Sequence, residues 1–370
     1  MALPLRLIQS VRPQASPGVI AGAAVVAAVF AATPFLLPDV STRLDVPVGL
    51  TGLLSTAQVA SFAIASFLAG RLFRPGRRLH YGGLLIIALA GFMAALATNF
   101  PLLIVSRAVS GLGMGTLTWV AWADATRFAR GLGEVAAVAP ITAMVASPVL
   151  AWLIELDGYR LAFAALGALA LLAMALPVDF GQLPRVGRTV SRSRSNRWLL
   201  VALFTLSLGG SSVFIFSGAT GTSLVGLSPL TVSWALSLNA LAGVVGTRVT
   251  APRGQSWLWL VATALAGLTL GTLGVPWVFF ISMALWGFAY WVAVPAIFAL
   301  LAERSLVPSE RIGDAQALMA MGRVFGPVIG GIAVGSSQYG RLSVVGGSIM
   351  IVAAVIAFVV EFVRRTQTFA

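Results

Sequence analysis

Apolar runs of about twenty residues recur twelve times along this chain, near 18–38, 47–70, 79–97, 101–123, 133–154, 160–177, 198–219, 229–248, 256–274, 276–301, 312–335 and 342–363. A helix of that length crosses the ~30 Å hydrocarbon core of a bilayer with its backbone hydrogen bonds satisfied internally. The composition agrees, with 59% hydrophobic and only 9% charged residues, against roughly 25% charged in ordinary soluble domains. The sequence therefore predicts an all-α polytopic membrane protein with twelve transmembrane helices. The first run follows Arg6 and Arg12. Its length, and the eleven runs behind it, predict a retained helix and not a cleaved signal.

Every basic residue is Arg, and the net charge is +13. These arginines sit in short loops between apolar runs and not on one basic face beside stacking aromatics, so no nucleic-acid partner is expected. They encode orientation instead. With the N-terminus in the cytoplasm, nineteen arginines fall in cytoplasmic loops and termini, and only Arg43, Arg160 and Arg341 fall on the opposite side. The positive-inside rule then predicts a multi-pass protein of the cell (inner) membrane with both termini cytoplasmic.

Several chemistries are excluded at this stage. The chain has no Cys and one His, His80, which rules out thiolate chemistry and His-cluster metal sites, so no metal and no cofactor are expected. It also has no Lys, hence no Gly-x-x-x-x-Gly-Lys-Ser/Thr phosphate loop and no ATP-driven cycle. The spans hold no paired carboxylates and no nucleophile–base set, so the chain is not expected to be an enzyme.

The one long loop, 178–197, is rich in Arg and Ser and falls between the sixth and seventh runs. It reads as a cytoplasmic basic linker between an N-terminal six-helix half, 1–177, and a C-terminal six-helix half, 198–370. The halves resemble each other. A slide of 179 residues lays Ser147-Pro148-Val149-Leu150-Ala151 on Gly326-Pro327-Val328-Ile329-Gly330 and Asp124 on Glu303, and a slide of 181 lays Arg160-Leu161 on Arg341-Leu342. Equal span counts around a central linker point to a duplicated, pseudo-symmetric architecture. A monomer is expected.

Three motifs carry a family resemblance. Gly70-Arg71-Leu72-Phe73-Arg74-Pro75-Gly76-Arg77-Arg78 resembles the Gly-x-Leu-x-Asp-Arg-x-Gly-Arg-Arg loop of the major facilitator superfamily, one residue short and without its Asp. Arg107-Ala108-Val109-Ser110-Gly111-Leu112-Gly113 is similar to that family's Arg-x-x-x-Gly-x-Gly pattern. Gly326-Pro327-Val328-Ile329-Gly330-Gly331 resembles its Gly-Pro-x-x-Gly-Gly element, with a weaker counterpart at Ser147-Pro148. The resemblance runs from about residue 18 to 363, and within the family the chain is loosely similar to the bacterial drug and metabolite efflux branch. In exporters of the family the Gly-Pro element is strongest in span five, whereas here the better copy is in span eleven. The resemblance implies secondary-active transport by rocking of two halves around a midplane site.

Residue roles follow from depth and chemistry. Arg323 lies eleven positions past Ile312, roughly 16 Å into the membrane at ~1.5 Å per residue. Intramembrane charges are functional candidates. Arg323 and Arg107 are candidate substrate counter-charges, though a structural tether stays open for both. Trp119, Trp286 and Tyr290 are candidate aromatic walls, because spans four and ten line the cavity in the family and Trp286 and Tyr290 share a helix face. Gln58 and Asn239 are candidate polar contacts. No carboxylate reaches the midplane, so gating or coupling falls to Asp124, Glu134, Asp314 and Glu303 near the cytoplasmic mouth, with Arg77 or Arg78 expected to pair with Asp124. Gly111, Gly113, Pro148, Gly326, Pro327 and Gly330 are candidate helix-interface positions.

The expected function is transport of a small organic solute, with efflux of an amphipathic or lipophilic compound as the first reading and proton coupling left open. Two rivals remain: an anion carrier using Arg323 and Arg107, and a transport-inactive sensor or scaffold on the same fold.

Overall fold

The computed structural model describes residues 15–125, 131–180, 194–249, 251, 254–303, 308–335 and 337–367. Twelve long helices occupy the twelve apolar runs. They are α1 (Pro17–Arg43), α2 (Val48–Leu72), α3 (Arg77–Ala95), α4 (Phe100–Ala125), α5 (Gly131–Asp157), α6 (Tyr159–Met174), α7 (Arg194–Phe214), α8 (Pro229–Gly246), α9 (Ser256–Leu270), α10 (Pro276–Glu303), α11 (Pro308–Val334) and α12 (Tyr339–Gln367). After α7 the chain continues through a helical turn, Ser217–Ala219, and a π turn, Thr220–Leu224.

Ten of the twelve are long and apolar enough to cross a membrane. The exceptions are α6 and α9, with 16 and 15 residues, or roughly 24 and 22 Å at ~1.5 Å per residue. Local sequence explains both ends of α6. Gly158, at φ 72°, turns the chain back from α5. At the other end Pro177 leaves the helix, and its carbonyl accepts the Gly18 N–H of α1 at 3.0 Å. Residues 181–193 of the expected linker 178–197 lie outside the described residues, and α7 already begins at Arg194.

Packing repeats between the first six helices and the last six. In the first set α1 packs on α5, α2 on α4, and α3 on both α4 and α6. In the second, α7 packs on α11, α8 on α10, and α9 on both α10 and α12. Between the sets α2 meets α11 and α5 meets α8, so the second helix of each set lies on the fifth of the other. That exchange is the mark of a pseudo-two-fold axis.

Large apolar side chains face outward as well as inward: Ile332 is 70% exposed and Leu172 69%. Such a surface is stable only where lipid replaces water, and the close helix contacts inside rest on small residues and not on a water-driven core.

Candidate functional site

Within the first set, the centre is a buried charge. Arg107 on α4 is 2% exposed. Its Nη2 donates to Thr33 Oγ1 of α1 at 3.0 Å and to Gln58 Oε1 of α2. The guanidinium lies over the Phe163 ring of α6, 5.5 Å from its centroid. Gln58 in turn donates to Met114 Sδ at 2.9 Å. One side chain thus ties four helices together through neutral acceptors and a ring face, which satisfies a charge that apolar surroundings would otherwise reject.

The sequence pattern explains how α4 comes close enough. A side chain at Gly111 would strike the Gln58 carbonyl of α2, and one at Gly113 would strike the Gly83 carbonyl of α3. A cavity of about 10 Å³ beside Arg107, lined in part by Ser106, Ser110 and Phe163, is the size of about one water molecule. Arg107 and Gln58 are therefore enclosed by their own half. This differs from their expected place as solute contacts, because the glycines of α4 draw α2 over them.

The second intramembrane arginine behaves differently. Arg323 on α11 is exposed, and its Nη2 donates to the Tyr290 hydroxyl of α10 at 3.1 Å. Gly322, Gly326 and Gly330 line the face of α11 against α7, while the Val324 carbonyl, the Pro327 carbonyl and Gly331 meet α2. At ~100° per residue Arg323 lies between those two faces. The position points it toward the space where α2, α7 and α10 converge.

Trp286 departs from its expected cavity role. It is 5% exposed, packs on Phe214 of α7 with ring centroids 5.8 Å apart, and lies 3.6 Å from where a Cβ on Gly210 of α7 would stand and 3.3 Å from one on Gly267 of α9. Sharing a helix face with Tyr290 does not give Trp286 the same surroundings, because its indole packs between α7 and α9. Trp119 is half-buried against Gly70 of α2. Asn239 on α8 donates through Nδ2 to the Met283 carbonyl of α10 at 2.8 Å.

The expected gating set is dispersed. Asp124 is buried in the last turn of α4, Arg77 and Arg78 are exposed at the start of α3, Glu303 is exposed at the end of α10 and Asp314 is half-buried in α11. Neither Arg77 nor Arg78 forms an ion pair with Asp124 among the described residues. The Glu134 side chain lies outside the described residues.

Carboxylates at the opposite, Arg-poor end do join elements. Asp39 accepts the Tyr159 N–H at 2.7 Å through Oδ2 and the Arg43 Nε–H at 3.1 Å through Oδ1. Glu155 at the end of α5 accepts the Leu230 N–H at 3.1 Å, in the first turn of α8 and therefore across the two sets. Both carboxylates meet the positive end of a helix. The backbone groups that Asp39 and Glu155 accept from lie 120 and 75 residues away in sequence, a relation that no local pattern displays.

The two sets close on each other from that same end to the middle of the bundle. Gly49 of α2 meets Gly331 of α11 backbone to backbone, Gly52 meets Pro327, and a side chain at Gly218 would strike the Pro34 carbonyl of α1. Thr56 Oγ1 donates to the Val324 carbonyl at 3.1 Å, and Ser237 Oγ of α8 donates to the Met144 carbonyl of α5 at 2.8 Å. Pro148, the expected counterpart of Pro327, lies in α5 one turn beyond Met144.

Known proteins resemble this chain in sequence or in fold. The chloramphenicol resistance protein of Streptomyces lividans is 26% identical over 367 residues, covering 90% of this chain and 91% of that protein. The multidrug resistance protein B homolog of Mycobacterium tuberculosis is 40% identical over 114 residues, and the match spans 21% of its length. Among solved structures, a bacterial homolog of the human lysosomal transporter Spinster, in an inward-facing and occupied conformation, aligns with a TM-score of 0.71 at 14% identity, over 93% of this chain and 95% of that one. The human organic anion transporter MFSD10 (TETRAN) aligns with a TM-score of 0.67 at 16% identity, over 92% and 98%. The family model for the Major Facilitator Superfamily matches residues 19–331. With its repeated six-helix packing and that match, the chain belongs to the Major Facilitator Superfamily.

Proposed function

We propose that this transporter exports an amphipathic or lipophilic small solute, acting as a monomer with both termini in the cytoplasm. The observation that carries the reading is the alignment of 90% of the chain with a relative named for chloramphenicol resistance. Chemistry supports it. The space where the two sets converge receives one exposed guanidinium, held by a neutral phenol, with half-buried Trp119 and Asn239 on neighbouring helices. That suits a neutral solute with hydrogen-bond acceptors and an aromatic or apolar body. If the Arg-rich end is cytoplasmic, the seal at Gly49–Gly331 closes the outer side, and the state described is inward-facing.

The test is accumulation of radiolabelled chloramphenicol in everted membrane vesicles carrying the protein, with and without a proton gradient. Gradient-dependent uptake supports proton-coupled efflux, and no uptake in either condition removes chloramphenicol as the cargo. A second reading, export or import of an organic anion, is favoured by the exposure of Arg323. Under that reading R323A abolishes binding, whereas a neutral solute loses only a hydrogen bond. Arg107 has no part in the anion reading, since it is enclosed.

A further inference from the structure

An open, solvent-facing groove of about 460 Å³ lies at the Arg-poor end, apart from the space where Arg323 and Tyr290 meet. Its polar wall is Ser41, Thr42, Asp45, Ser223, Ser337 and Tyr339. The first three come from the α1–α2 corner, Ser223 from the π turn after α7, and the last two from the α11–α12 corner. Both sets of helices therefore contribute to one pocket. Its volume is in the range of small-molecule sites, roughly 300–1,000 Å³.

Two observations give the pocket a chemical character. Ser41 Oγ gives its proton to the Val46 carbonyl at 2.7 Å, and Thr42 Oγ1 gives its own to the Pro38 carbonyl at 3.1 Å. Both hydroxyl oxygens are left as acceptors. The Asp45 carboxylate has no hydrogen bond or ion pair among the described residues. The arginines nearest in sequence are turned elsewhere, Arg43 to Asp39 and Arg341 to Gln338. The groove thus offers acceptors and one exposed carboxylate that no described protein group pairs with.

Backbone geometry marks the same place. Asp45 at φ 51° and Ser337 at φ 85° are the non-glycine residues with left-handed φ among the described residues, and both line this groove. Asp tolerates that conformation through its short polar side chain. Ser has less claim to it, and such strain collects at sites that bind.

We propose that this groove binds a small organic cation carrying hydroxyl groups, with Asp45 as its counter-ion. Because the wall is assembled from both halves only while the Arg-poor end is shut, a bound cation favours the sealed state and slows transport. The inference rests on the groove and not on the identity of the exported solute.

The chain has no cysteine, so S223C or T42C introduces a lone reporter thiol, one in each half. The purified full-length variants are labelled with a maleimide in the presence of N-methylglucamine, a protonated amino-polyol, or sorbitol, a neutral polyol of similar size. The expected result is labelling slowed about tenfold by N-methylglucamine at ten times its Kd, no protection by sorbitol, and loss of protection when D45N is added to S223C. Equal protection by the two polyols, protection by neither, or protection that survives D45N overturns the proposal. Should the D45N double variant fail to fold, T42C decides the matter alone through the contrast between charged and neutral polyol.

Discussion

Arg107 on α4 donates to the side-chain oxygen of Gln58 on α2, and through that bond the charge at the centre of the first six helices is held. Removing the acceptor leaves the guanidinium with Thr33 and a ring face. Q58L is expected to destabilise the protein by about 1–3 kcal/mol, read as a fall in thermal unfolding temperature in detergent. Q58E, which keeps an acceptor in place, should recover most of the loss. Parent-like stability of Q58L would show that Arg107 relaxes to other partners.

Trp286 fills a slot between α7, α9 and α10. W286A is expected to cost about 3–5 kcal/mol, the range for emptying a buried aromatic site, with solute affinity unchanged in the protein that remains folded. Thermal unfolding and equilibrium binding on the same preparation separate the two effects. A stable W286A that binds weakly would place the indole in the solute path after all.

The Arg323–Tyr290 bond separates position from charge. Y290F leaves the guanidinium but frees it to swing, so transport should fall through a raised KM and a modest change in rate. R323A should leave Kd for a neutral solute within about tenfold, or ~1.4 kcal/mol, of the parent value. A complete loss of neutral-solute binding in R323A, with the fold intact, would contradict the proposed cargo class.

At the seal, G331L drives a side chain into the Gly49 backbone. The sealed state should become the less populated one, and S237C, placed at the contact between α8 and α5, should label faster in G331L than in the parent. Unchanged labelling would mean that the contact yields elsewhere.

E155Q tests the electrostatic part of that closure. Glu155 accepts from the first turn of α8, and a carboxylate at a helix N-terminus contributes about 0.3–1 kcal/mol. The S237C labelling rate should therefore rise only a few-fold in E155Q, well below the effect of G331L. An effect as large as that of G331L would make the carboxylate the main latch.

The twelve spans were legible because bilayer thickness imposes a length on every crossing segment, and the sequence is punctuated by Pro and Gly near the ends. Thus α8 begins at Pro229 with Ser228 accepting the Thr231 N–H at 3.1 Å, and α6 begins behind Gly158. The shortness of α6 and α9 was not legible, since apolar residues continue past the point where helical hydrogen bonding stops. Burial within the bundle was the weakest inference. Arg107, Gln58 and Trp286 each carry cavity-type chemistry, yet each is covered by side chains and backbone of other helices. A helix face can be computed from spacing. Which face a partner will close over depends on where two helices can approach, as the contact of Gly111 with the Gln58 carbonyl shows.

The main-chain contact of Gly49 with Gly331 has a bearing on how such a carrier changes over time. A gate that closes polypeptide on polypeptide asks nothing of the residues that choose the cargo. Under the proposed cargo reading, substitutions around Arg323, Tyr290 and Trp119 leave that main-chain contact in place, so cargo range and closure can drift separately. Under that reading a lineage can meet a new cargo by altering a few side chains while the main-chain contact stays as it was.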